Sequence, residues 1–168
     1  YRPFAEYLAK ALGMKVQFTP VVDYAATVEG LAAKKLDLVW YGGFTSVQAV
    51  RRTGGTARRL ALRQEDAEFK SVFVSKPGSG IKSLQDLKGK TFAFGSVGST
   101  SGHLMPRAFL LQANLNPERD FKQVAYSGAH DATILWVESG KVEAGALNFL
   151  VWDKLLQQKK MDLAKVNV

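Results

Sequence analysis

Lys90 to Pro106 reads KTFAFGSVGSTSGHLMP, and the fold turns on how the middle of this stretch is read. The β-rich run Lys90 to Phe94 ends in Gly95, and Leu104 to Leu111 resumes with apolar residues at helical spacing. The piece between them is therefore a strand-to-helix turn. The first turn of a helix carries backbone N–H groups without internal acceptors and a partial positive charge, so hydroxyl residues placed there suit an oxyanion. Pro106 has no N–H and belongs in the first turn, which leaves Ser99, Thr100 and Ser101 at the mouth. One helix cap needs one side-chain oxygen. Three consecutive hydroxyls exceed that need, and the flanking Gly98 and Gly102 let backbone approach a bound group closely. No Lys follows Gly102, which excludes a Walker loop, and Gly95, Gly98 and Gly102 do not fit G-x-G-x-x-G. The residues point to a small tetrahedral anion held by hydroxyls and amides, with plain helix capping as the simpler alternative.

Outward from this loop the chain alternates strands and helices. Downstream, Phe121 to Tyr126 is a predicted strand, Ser127 to Asp131 a turn, Ala132 to Ser139 a helix, Val142 to Leu147 a strand and Phe149 to Lys159 a helix. Upstream, Ser83-Leu84-Gln85-Asp86 opens a short helix with a capping-box pattern in which Asp replaces the usual Glu or Gln, and Gly89 stops it. Phe69 to Ser75 reads as a strand, followed by the turn-rich break Lys76 to Gly80. Before it, Pro3 to Leu12 is a helix ended by Gly13, Lys15 to Thr19 alternates like a strand, and Asp23 caps a helix over Tyr24 to Lys34. Leu36 to Tyr41 is an apolar strand of the doubly covered kind, Thr45 to Arg52 a helix, and Gly54 to Arg63 leads through a further strand.

This order describes two α/β lobes. The expected division is residues 1–73 in lobe 1, 74–164 in lobe 2 and 165–168 as the start of a crossover back to lobe 1. Glu29 to Tyr41 and Val137 to Asn148 match in plan: a helix end, a Lys-containing turn, an acidic residue and a buried strand closed by a polar or aromatic group. In open α/β sheets ligands gather beyond the carboxyl ends of strands, so two facing lobes would enclose a cleft. Tyr24, Tyr41, Ser99 to Ser101, His130 and Asn148 all fall at strand or helix ends of that kind.

The composition narrows the function classes. The 168 residues are 46% hydrophobic, ample for a core. The net charge is +8, yet the 23 Lys and Arg are scattered apart from Arg51-Arg52, Arg58-Arg59 and Lys159-Lys160, without interleaved aromatics. That pattern reads as a solvated surface drawing anions toward a cleft, with no nucleic-acid partner expected. The absence of cysteine removes disulfides, thiol catalysis and zinc fingers. No H-E-x-x-H or G-x-S-x-G pattern is present, and Asp131 and Asp153 lie on separate segments, so neither metal, cofactor nor catalytic residue is expected. His103 reads as a supporting or surface residue, and Trp40, Trp136 and Trp152 as core or cleft wall. No run reaches the length of a membrane span, and the chain opens on Tyr1-Arg2-Pro3 without a signal peptide.

With these residues in place, the chain resembles the phosphonate- and phosphite-binding proteins of ABC transporters, a branch of the type II periplasmic binding protein family. The resemblance is carried by Asp23-Tyr24-Ala25, Leu38-Val39-Trp40-Tyr41-Gly42, Gly98-Ser99-Thr100-Ser101-Gly102, Gly128-Ala129-His130 and Val142-Glu143-Ala144, with Ser83 to Lys90 at the start of the second lobe. It implies a two-lobed fold of Rossmann-like lobes with the ligand at the hinge, incomplete here at both ends. It also implies a monomer that delivers a small phosphorus oxyanion to a membrane permease. By resemblance, Tyr24 and Tyr41 donate hydroxyls, Ser99, Thr100 and Ser101 supply hydroxyls and amides, and His130 closes the ring. Asn148 and Leu150, with Phe149 and Trp152, are candidates for the cleft wall. Binders of amino-alkylphosphonates carry a carboxylate where Leu150 stands, so phosphite, hypophosphite or methylphosphonate is implied instead. The implied location is the periplasm or another extracytoplasmic site, with or without a lipid anchor, the signal lying outside these residues. A sensory module of the same fold is the alternative, and an enzyme a weaker one, since no activated nucleophile with a placed base is present.

Overall fold

The computed structural model describes residues 1–168, apart from the side chain of Glu68. Its centre is a four-stranded sheet of β1 (Ser71–Ser75), β2 (Thr91–Phe94), β3 (Gln123–Tyr126) and β4 (Ala144–Asn148). The strands lie in the order β1-β4-β2-β3. β2 runs parallel to β3 and β4, while β1 is antiparallel to β4 with Ser71 opposite Asn148 and Ser75 opposite Ala144. Parallel neighbours need helical crossovers, and α4 (Met105–Gln112), the single turn α5 (Pro117–Asp120) and α6 (His130–Glu138) supply them. α7 (Phe149–Gln157) leaves directly from the end of β4.

Strand periodicity divides the core into two clusters, one on each face. Phe92 and Phe94 point with Ala144 and Ala146 toward Leu87, Leu110, Leu115 and Phe121. Ala93 and Leu147 point the other way, toward Val74, Ile134, Val137, Trp152 and Val166. Burial on both faces explains why β4 contains no exposed residue. Gly145 sits where α6 crosses the sheet: a Cβ there would come within 2.5 Å of Thr133 Cγ2 and 2.9 Å of the Ala93 carbonyl oxygen. Phe92 is fully buried, so its truncation to Ala would cost about 3–5 kcal/mol. Where the two central strands begin, Glu143 accepts hydrogen bonds from the Thr91 amide at 3.0 Å and the Lys90 ammonium at 3.0 Å, tying β2 to the start of β4.

Residues 1–70 hold three helices, α1 (Arg2–Leu12), α2 (Tyr24–Ala32) and α3 (Gly43–Arg52), and a 3-10 turn at Gln64–Glu68. Asp23 caps α2 as expected, accepting from the Ala26 amide at 2.7 Å. Gly13 ends α1 in the left-handed region, at φ 63°. The strands expected at Lys15 to Thr19, Leu36 to Tyr41 and within Gly54 to Arg63 do not form. A strand exists through its ladder partner, and none of these three pairs with a described segment. The same lack of a covering layer leaves Leu38 and Trp40 exposed, and α1 buries none of its residues. The plan shared by Glu29 to Tyr41 and Val137 to Asn148 therefore ends in a strand only in the second segment. The expected lobe boundary at residue 73 falls inside β1, whose five residues all pair with β4. At the other end, Asn167 bridges Ser75 and the two side chains share a 2.9 Å hydrogen bond.

Candidate anion-binding site

The loop after β2 closes into a single π-helical turn, Thr100–Leu104, that runs straight into α4. Pro106 falls in the first turn of α4, as the sequence required. Ser99 is the N-cap of the π turn, and its Oγ accepts the Gly102 amide at 3.0 Å. Thr100 Oγ1 accepts the Phe44 amide, at the start of α3, at 2.8 Å. Ser101 Oγ accepts from Asn148 Nδ2 at 3.2 Å. The direction of this last bond is fixed, because Asn148 Oδ1 takes the Val151 amide at 3.2 Å and leaves only the NH2 group to face Ser101. Each of the three hydroxyls has thus used a lone pair on a protein N–H and kept its proton. Among the described residues no acceptor takes any of those three protons.

His130, first residue of α6, adds a fourth donor. Its Nδ1 lies 3.3 Å from the Asn148 backbone N–H, and an N–H can only donate, so Nδ1 accepts and the ring proton resides on Nε2. Burial pushes the imidazole below its ordinary pKa, while the Asp131 carboxylate pulls the other way, so the ring is neutral at pH 7. The ring packs onto the loop: a Cβ on Gly102 would come within 3.0 Å of His130 Cε1. Ser99, Ser101 and Asn148 are buried and Thr100 half-buried, so the two serine hydroxyls are held in shape rather than solvated.

The N-terminal helices approach the same loop. A Cβ added to Gly98 would come within 2.6 Å of Tyr24 Cβ, and one added to Gly42 within 3.2 Å of Thr100 Oγ1. Tyr24 is half-buried, and its hydroxyl has no partner among the described residues. Tyr41 differs: its hydroxyl donates to the Thr27 carbonyl at 2.8 Å, and burial raises the phenol's pKa against that bond. Its proton is committed to α2, leaving only lone pairs to face outward. Leu150 is half-buried in the first turn of α7 and Phe149 exposed. Trp152, in contrast, lies in the core beside Val74, Ile134 and Leu147, which removes it from the cleft wall.

The structure therefore brings Tyr24, Ser99, Thr100, Ser101, His130 and Asn148 around one loop. The three polar groups of Asn148 reach His130, Ser101 and the start of α7. The signal for it was an Asn between an apolar strand and an apolar helix, the N-cap position. Gly42 and Phe44 were not anticipated, since nothing local to Tyr41-Gly42-Gly43-Phe44 shows what faces it. His103 supports the loop from behind: Arg107 Nε and the Tyr126 hydroxyl both donate to its Nε2 at 3.1 Å, and its Nδ1–H donates to the Val97 carbonyl at 2.7 Å. Two surface hollows, about 270 Å³ beside Leu111 to Arg119 and about 290 Å³ between β1 and Leu84, lie away from this loop. Neither is lined by a residue of this loop. Among the described residues no cluster of three or more His, Asp and Glu could hold a metal, and no helix is long and apolar enough to cross a membrane.

A sequence profile described as "ABC transporter, phosphonate, periplasmic substrate-binding protein" matches residues 1–168. The chain belongs to this phosphonate-binding family. A probable ABC transporter phosphite-binding protein, PhnD1 of Prochlorococcus marinus, is 45% identical over 161 residues, which is 92% of this chain and 54% of that protein. A phosphate-import protein of Mycolicibacterium smegmatis is 31% identical over 169 residues, 95% of this chain and 53% of its own length. The solved structure of the Prochlorococcus PhnD1 in complex with methylphosphonate superposes with a TM-score of 0.92 at 41% identity, over 99% of this chain and 63% of that one. The chain thus spans about half the length of these curated relatives. The α/β class expected from the alternation of elements, and the periplasmic-binding-protein fold implied by the resemblance, are what is observed.

Proposed function

We propose that this chain is the ligand-binding part of a substrate-binding component of an ABC importer, which captures a small phosphorus oxyanion and passes it on unchanged. The observation that carries this reading is the set of three hydroxyl protons on the loop after β2 and the Nε2–H of His130 beside it, all left without acceptors among the described residues. Four protons with no protein acceptor suit an ionised group that only accepts. Hydrogen bonds to an ionised group contribute about 1.5–3 kcal/mol each, so four of them supply roughly 6–12 kcal/mol before the costs of association and ordering.

The names of the relatives agree on the class and differ in the fourth substituent of phosphorus: phosphite, phosphate and methylphosphonate. For this chain phosphite, methylphosphonate or hypophosphite is favoured. Leu150 offers no carboxylate to an amine, and with Phe149 it presents an apolar surface to P–H or P–CH3. Phosphate would leave its fourth oxygen unpaired there, at a cost of about 1–3 kcal/mol.

In this reading the clamp has a lobe of residues 1–70 and a lobe of residues 71–164, the boundary moved from 73 because all of β1 pairs with β4. Residues 165–168, expected to start the return to the first lobe, pack on the second, with Val166 in its core and Asn167 bridged to Ser75. Tyr24 and Tyr41 face the anion from that lobe, Tyr41 donating only after its bond to Thr27 opens. The protein acts as a monomer in the periplasm and hands its cargo to a membrane permease. Calorimetric titration of the purified full-length protein with phosphite, methylphosphonate, hypophosphite, aminoethylphosphonate and phosphate tests this. Tight binding of one amine-free ligand, with phosphate and aminoethylphosphonate at least about a hundredfold weaker, is the expected result. Binding of none of the five contradicts it.

A further inference from the structure

Among the described residues, one side-chain hydrogen bond joins residues 1–67 to residues 71–168: the Phe44 amide donating to Thr100 Oγ1 at 2.8 Å. The Phe44 N–H belongs to the first turn of the ten-residue helix α3, so it carries the positive end of that helix. Gly42 makes room for the contact, since a Cβ there would crowd Thr100 Oγ1 to 3.2 Å. Gly98 supplies the second point of approach, where any side chain would run into Tyr24. Both contacts come from the loop that carries Ser99 and Ser101, whose own oxygens are bonded within residues 71–168. Of the three hydroxyls, Thr100's is the one bonded to residues 1–67.

We propose that the Thr100 hydroxyl is the positioning group that couples anion binding to closure of the two lobes. Its lone pair takes the Phe44 amide from one lobe, and its proton goes to the anion held by the other. Hydrogen bonds in series polarise one another, so an anion accepting the Thr100 proton makes Oγ1 a stronger acceptor for Phe44. A bound anion thereby tightens the contact between lobes, and a closed contact improves Thr100 as a donor. The inference rests on the anion-binding reading above and adds to it a route from ligand to shape.

The 168 residues contain no cysteine, so Gln48→Cys on α3 and Gln112→Cys on α4, both exposed, would carry spin labels for an inter-lobe distance in the full-length protein. Methylphosphonate is the ligand, and calorimetry on the same samples reports affinity. Wild type is expected to collapse to one short distance at saturation. Thr100→Val should lose affinity by on the order of 10- to 100-fold and keep an open population even at saturation. Thr100→Ser, which retains the hydroxyl, should restore both. Gly98→Ala, which removes no hydroxyl and wedges the loop from Tyr24, should also stay partly open. Full closure of saturated Thr100→Val, with affinity alone reduced, would confine Thr100 to ligand contact and overturn the coupling. Wild type that binds methylphosphonate without changing distance overturns it as well. Wild type that binds no oxyanion overturns the functional reading, and the coupling with it.

Discussion

At the scale of single residues, the site depends on which way hydrogen bonds point. Ser99-Thr100-Ser101 is legible in the sequence as hydroxyls between two glycines. That each oxygen is already occupied by an N–H, from Gly102, Phe44 and Asn148, is not, because two of those partners lie 56 and 47 residues away. Asn148 offers the sharpest test. Asn148→Asp keeps an oxygen for the Val151 amide, so α7 keeps its cap. It removes the NH2 that donates to Ser101, whose proton would turn to the new carboxylate and away from the anion. Loss of most methylphosphonate affinity with little change in melting temperature is expected, and unchanged affinity would show that Asn148 does not direct Ser101. Leu150→Asp should gain affinity for aminoethylphosphonate by about tenfold or more through an ion pair with its amine; no gain would remove Leu150 from the wall.

His130 also gives the fold a pH dependence whose sign follows from its environment. Burial holds the folded-state pKa below the ordinary value, so the unfolded chain takes up its proton first as pH falls. The contribution of the neutral ring is complete above the unfolded value of about 6.5 and is lost as pH falls from there toward the lowered folded pKa. Protonated Nδ1 would moreover face the Asn148 N–H with a second donor. Thermal unfolding at about pH 5 and pH 7.5 should show wild type losing more stability on acidification than His130→Gln. Equal losses would mean that His130 is not the group responsible.

At the scale of elements, local patterning named what neighbours could complete. β2, β4, α4, α6 and α7 appear within a few residues of where alternation and capping placed them, because their partners lie within the chain. Leu36 to Tyr41 has as strand-like a composition as Ala144 to Asn148, but only the second has ladders on both sides. Gly145 is the element-scale constraint that sequence does not reveal, since its meaning is the closeness of α6 to the sheet. Gly145→Ala should destabilise by about 1–3 kcal/mol, because the new Cβ meets the Ala93 carbonyl as well as a side chain. A neutral result in denaturant unfolding would show that α6 can lift away freely. Hydrogen exchange on the 168-residue polypeptide should rank β2 and β4 slowest and α1, with no buried residue, among the fastest. Protection of α1 equal to that of β2 would contradict that ranking.

At the scale of the whole molecule, the sheet of residues 71–148 presents a loop of donors at the carboxyl end of β2, and α2 and α3 close over it through Tyr24, Gly42 and Phe44. The architecture class could be read from alternating elements, and the expectation of a small tetrahedral anion from one loop and its glycines. The arrangement across the two parts required coordinates, because the contacts that define it span the chain. The central claim is that the Ser99, Thr100 and Ser101 protons hold the anion. Titration of methylphosphonate into the full-length triple variant Ser99→Ala, Thr100→Val, Ser101→Ala, beside wild type, tests it most directly. The account expects wild type to bind and the triple variant to show no measurable binding, with circular dichroism confirming a folded protein. A folded triple variant that binds methylphosphonate within about threefold of wild type would contradict it.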